Sequence, residues 1–156
     1  PLWKLLRFFF RRYSRHHLEG SWYGYYMILE NGKPMIGKEI LQISKGVFHD
    51  LVVRGESLNP RTSIQQKYRG IACEERNFLI IQMRPTGHDE SIFIRLKRPI
   101  PGNDEVMYGL WSAIDFDTNN AVGPMILSKD RLEDSELREI MEKITVLPEI
   151  RFMRVT

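Results

Sequence analysis

A single cysteine, Cys73, stands in a chain of 156 residues. One thiol cannot make an internal disulfide or a thiolate zinc site, and the missing disulfide framework favours a reducing compartment. Cys73 also stands beside Glu74 and Glu75, an electronegative setting unlike that of a reactive thiolate. Histidine is nearly as scarce: His16, His17, His49 and His88 are the only four, with no two at metal-ligand spacing inside the domain body. Neither a GxGxxG run nor a P-loop offers a cradle for a nucleotide phosphate. Asp115, Asp117 and Asn119 have the two-residue spacing of a calcium loop. Asn120 then stands where that loop needs glycine and Ile126 where it needs a glutamate, so an Asx-rich hairpin turn is the better reading. Internal repeats and low-complexity segments are absent. These gaps leave no catalytic set, so the chain is expected to bind rather than to react, without cofactor or metal.

What is present fits one globular domain: 18.5 kDa, with 42% hydrophobic and 28% charged residues, enough to bury a core. The net charge of +3 is unevenly spread. Residues 1–20 carry Lys4, Arg7, Arg11, Arg12 and Arg15 against Glu19 alone, a net of +4, while the other 136 residues carry −1. The basic balance therefore belongs to a leader rather than to a binding face, which argues against duplex nucleic acid as a partner.

In that leader, Leu2, Trp3, Leu5, Leu6, Phe8, Phe9 and Phe10 give way to Arg11, Arg12, Arg15, His16 and His17. Apolar residues followed by a basic cluster match the cytoplasmic end of a membrane span. The run is too short to span alone, since a spanning helix needs ~20 apolar residues. Because the chain opens on Pro1 rather than Met, an apolar span is expected upstream. The alternative is an amphipathic helix with Leu2, Leu5, Leu6 and Phe9 on one face, packed on the domain. Residues 1–18 are assigned to this leader and 19–156 to the domain.

From Gly20 onward, β-branched and aromatic runs alternate with turn signals about every ten residues, which predicts short antiparallel strands. They are expected at 21–29, 35–44, 47–54, 62–73, 78–84, 91–97, 106–116 and 121–127. Asn31-Gly32 marks the first hairpin, and Gly55 to Arg61 is expected to be a loop. One helix is expected at about 130–146, capped by Ser128 or Asp130, with Leu132, Leu137, Ile140, Met141 and Ile144 as its apolar stripe. The fold class is mainly β: an eight-stranded antiparallel lipocalin-like barrel with a C-terminal helix and an N-terminal helical leader.

Gly20-Ser21-Trp22 resembles the Gly-x-Trp opening of lipocalin and fatty-acid-binding barrels, in which the tryptophan plugs one end. Lys67, Arg69, Arg84, Arg95 and Lys97 fall within strand runs, and their default reading is an outward, solvated face. The functional reading has Arg69, Arg84 and Arg95 holding an anionic ligand, with Tyr26, Tyr68 and Trp111 stacking on its flat bases.

The apolar-then-basic leader, the run Leu18-Glu19-Gly20-Ser21-Trp22-Tyr23-Gly24-Tyr25-Tyr26, eight short strands, Gly109-Leu110-Trp111 and a late helix together resemble one effector family of bacterial cyclic-oligonucleotide antiphage signalling (CBASS). Its members carry two transmembrane helices and a C-terminal β-barrel. The resemblance implies a receptor that binds a cyclic dinucleotide on the cytoplasmic side of the inner membrane and assembles into homo-oligomers. The transmembrane helices then disrupt the membrane. Two other readings stand beside it: a lipocalin-like carrier of a small apolar ligand, and the ligand-sensing module of a transcription regulator.

Overall fold

The computed structural model describes residues 17–30, 33–47, 51–58, 65–87, 91–97, 105–114, 120–146 and 153–154. The leader, except His17 and Leu18, and the Asp115 to Asn119 turn lie outside them. Eight strands follow one another as an antiparallel meander: β1 (Gly20–Glu30), β2 (Lys33–Lys45), β3 (Leu51–Leu58), β4 (Gln65–Glu75), β5 (Phe78–Pro85), β6 (Ile92–Lys97), β7 (Val106–Ile114) and β8 (Asn120–Ser128). The sheet closes on itself where Tyr23 to Tyr26 of β1 pair with Ser128 to Met125 of β8. Over this stretch closure pairs the two edge strands, which protects their backbone donors and acceptors. A two-residue strand, β9 (Met153–Arg154), pairs with Ala121 and Val122, on the stretch of β8 beyond its pairing with β1.

Side-chain alternation decides inside from outside. Leu41 and Ile43 of β2, Leu51 and Val53 of β3, Leu79, Ile81 and Met83 of β5, Ile94 and Leu96 of β6 and Met107 of β7 all point inward and are fully buried. Trp22 lies at the base of this core. Its indole donates to the Leu18 carbonyl at 2.8 Å, and Lys129 lies 4.1 Å from the ring centroid while donating to the Glu19 carbonyl at 2.9 Å.

Two sequence expectations need correction. Gly55 does not end β3, which continues to Leu58. A β-carbon there would lie 2.8 Å from Leu41 Cδ2 and 3.5 Å from Tyr68, so Gly55 serves close packing within a strand rather than a turn. The helix, α1 (Asp134–Val146), begins later than expected, and neither Ser128 nor Asp130 caps it. Ser128 is buried in β8. The Leu132 amide donates to the Tyr25 hydroxyl at 2.8 Å, which ties the approach to the barrel wall. Glu133 is the cap: its carbonyl accepts the first helical bond from Leu137, and its amide donates to the Glu136 carboxylate at 3.0 Å.

Leu137 and Met141 pack on Tyr25 and Ile126, so α1 covers the outer face of the β1–β8 seam. This explains why those strands are apolar on both sides. Among the described residues, no helix is long and apolar enough to cross a membrane.

Candidate functional site

The inner wall is not uniformly apolar. At the end opposite Trp22, cross-strand register brings Gly24, Glu39, Ser57 and Gln66 into one row over four strands. Glu39 alternates with Leu41 and Ile43, so it must face inward, and it is 8% exposed. Its Oε1 is buried and, among the described residues, has no hydrogen-bond partner. Gly24 makes room for it, since a β-carbon on Gly24 would lie 2.6 Å from Glu39 Cγ.

Ser57 stands opposite Glu39 across the ladder, and Tyr26 lies close enough to feel its charge. Ser57 Oγ donates to the Tyr68 hydroxyl at 3.0 Å, and Tyr68 donates to Gln66 Oε1 at 3.0 Å. The Tyr26 ring lies over Gly37, where even a methyl group would collide with it. Tyr26 meets Trp111 edge-to-face, with centroids 5.8 Å apart and planes at 72°. Trp111 Nε1 donates to the Met27 carbonyl at 3.1 Å. That bond lies one residue past Tyr26, the last residue of β1 paired to β8, so the indole holds the carbonyl where the seam parts.

The electrostatics follow from burial. Loss of water around the carboxyl pushes Glu39 up to about 8, so at neutral pH it is a carboxylic acid with one donor and one acceptor. Burial also raises the Tyr26 hydroxyl well above its ordinary range, helped by Glu39 and then Tyr68, while its hydrogen bond with Ser57 acts in the opposite direction. A buried carboxyl oxygen without a partner costs about 1–3 kcal/mol, which a ligand donor would recover. No three His, Cys, Asp or Glu residues among those described form a group able to hold a metal ion. This arrangement suits the hydrogen-bonding edge and flat face of a small molecule.

Tyr26, Tyr68 and Trp111, three of the six residues expected to contact ligand, come together at this end of the barrel. Arg69, Arg84 and Arg95 do not join them: all three are exposed on the outer face. Arg69 and Arg84 are cross-strand partners there, and Arg95 Cζ lies 4.1 Å over the Phe78 ring. Strand parity separates the two triads, so they cannot close around one ligand. Glu39, Ser57 and Gln66 were not among the expected residues, although the alternation Gly37, Glu39, Leu41, Ile43 carries the signal for Glu39.

No protein-family model matches the chain, and neither a curated protein nor a solved structure does.

Proposed function

We propose that the barrel is the ligand-sensing part of a membrane-anchored antiphage effector and binds a cyclic dinucleotide at the Glu39 end. The observation that carries this reading is the buried Glu39 carboxyl, whose Oε1 has no partner among the described residues, close to Tyr26 and its ring contact with Trp111. A carboxylic acid matches the donor–acceptor edge of a purine, and aromatic faces suit its plane. The named site residues bring no positive charge, so the ligand phosphates stay at the mouth, in contact with water. Ligand binding then drives self-association, and transmembrane helices upstream of this chain disrupt the inner membrane from its cytoplasmic side. No catalytic step is involved. Trp22 at the barrel base, with Lys129 over its ring, supports a lipocalin-like form of the barrel.

The apolar inner wall favours a second reading, a carrier for a lipid or another small apolar molecule. Isothermal titration against a panel of cyclic dinucleotides separates the two. A receptor gives heat with at least one member, and Glu39→Ala abolishes it, while a fluorescent fatty acid is left unbound. Uptake of the fatty acid with silence across the panel would instead establish the carrier.

A further inference from the structure

Arg69 and Arg84 are left over from the site just described, and the outer wall gives them a context. Register sets Arg54 of β3 opposite Arg69 of β4, and Arg69 opposite Arg84 of β5. All three are exposed. Neighbouring strands run ~4.8 Å apart, so three guanidinium-bearing side chains leave the wall within about 10 Å of one another. Like charges directly opposite across strands repel and weaken a sheet. None of the three is joined to a carboxylate of the described residues. Glu56, two residues along β3 from Arg54, is already engaged by Lys67 at 3.7 Å and Gln65 at 2.8 Å.

The adjoining row on the same wall is partly apolar. Ile71 pairs with Gln82, and Gln82 with Phe93. Ile71 is 39% exposed and Phe93 48%. Arginines with no counter-charge among the described residues, next to exposed Ile and Phe, match a bilayer surface: guanidinium groups pair with headgroup phosphates, and the apolar side chains enter the boundary with the acyl chains. We infer that the β3–β6 wall docks on a membrane surface rich in anionic lipid. An aliphatic residue such as Ile71 has no π-face to stack on a base, which favours lipid over single-stranded nucleic acid. The wall also lies across the barrel from the β1–β8 seam that α1 covers, so the helix does not obstruct it.

Vesicle flotation of the whole chain tests this, comparing phosphatidylcholine vesicles with mixed phosphatidylcholine–phosphatidylglycerol vesicles. The leader is common to the wild type and every variant, so the difference between them reports the wall. The triple variant Arg54→Gln, Arg69→Gln, Arg84→Gln is expected to lose about 100-fold of the phosphatidylglycerol-dependent partitioning, from roughly 1 kcal/mol per basic residue. Its unfolding midpoint should be equal or higher, since cross-strand repulsion is relieved. Phe93→Ser should weaken partitioning severalfold with all the charges retained. Cyclic-dinucleotide titration of the triple variant should be unchanged, which keeps failure of this docking distinct from failure of the lumenal site. Equal flotation of wild type and triple variant would overturn the inference, as would a lowered unfolding midpoint in that variant. Capture of single-stranded RNA without vesicle binding would also overturn it.

Discussion

Glu39 lies against Gly24 across the β1–β2 ladder: a β-carbon on Gly24 would stand 2.6 Å from Glu39 Cγ and 2.9 Å from Oε1. The glycine leaves room for a carboxyl that a larger residue would force aside. Gly24→Ala should therefore destabilise the barrel by about 1–3 kcal/mol through overpacking. In a Glu39→Ala background most of that cost should vanish, because the colliding atoms are gone. Denaturant unfolding of the four proteins in this cycle measures the coupling. Additivity within about 0.5 kcal/mol would show that the two side chains do not compete for the space.

Glu39 also makes stability depend on pH with a definite sign. Its carboxyl is raised from 4.5 to about 8 by burial, so between those values the folded state holds a proton that the unfolded state has released. Stability then falls as pH rises through this window, by an amount of order a few kcal/mol when complete. Below the window both states are protonated and the penalty is absent. Glu39→Gln should remove this part of the slope. Chemical denaturation from acid to mildly alkaline pH checks it, and parallel curves for wild type and variant would contradict the assignment.

Trp111→Phe keeps the ring contact with Tyr26 but deletes the indole donor to the Met27 carbonyl. That carbonyl lies where β1 leaves β8, and losing its partner should cost about 1–3 kcal/mol. Hydrogen exchange should rise first at the seam amides near Tyr26 and Met125. An exchange pattern identical to wild type would mean that the bond does not hold the seam.

At the other end of the barrel, Lys129 links β8 to the start of β1 through the Glu19 carbonyl and the Trp22 ring. Lys129→Met should lose about 1–2 kcal/mol from the hydrogen bond and the cation–π contact. The Trp22 indole proton should exchange faster as its bond to the Leu18 carbonyl loosens. Unchanged protection of that proton would show that Lys129 is not needed to hold the plug.

Much of the barrel was legible in the chain because strand alternation and turn residues are local signals. The run from Ser21 to Leu29 and the Asn31-Gly32 pair mark β1 and its connection to β2, and Leu137, Ile140 and Met141 mark α1. The default outward reading of Lys67, Arg69, Arg84, Arg95 and Lys97 agrees with their exposure. The site was less legible for two physical reasons. Treating Gly55 as a loop residue took Ser57 out of β3, and with it the row that joins Glu39 to Gln66. Contacts such as Trp111 to Met27 depend on barrel closure between residues 84 positions apart, which no local pattern encodes. β9, with two residues, is too short to carry any period.

The most direct test follows the Glu39 carboxyl itself by ¹³C NMR while a cyclic dinucleotide is added at neutral pH, with Glu39→Gln used to assign the signal. The expected result is a saturable shift of that one carboxyl resonance, following the same binding curve as the heat of titration. Saturation of the calorimetric signal with the Glu39 resonance unmoved would put the ligand elsewhere and contradict the account.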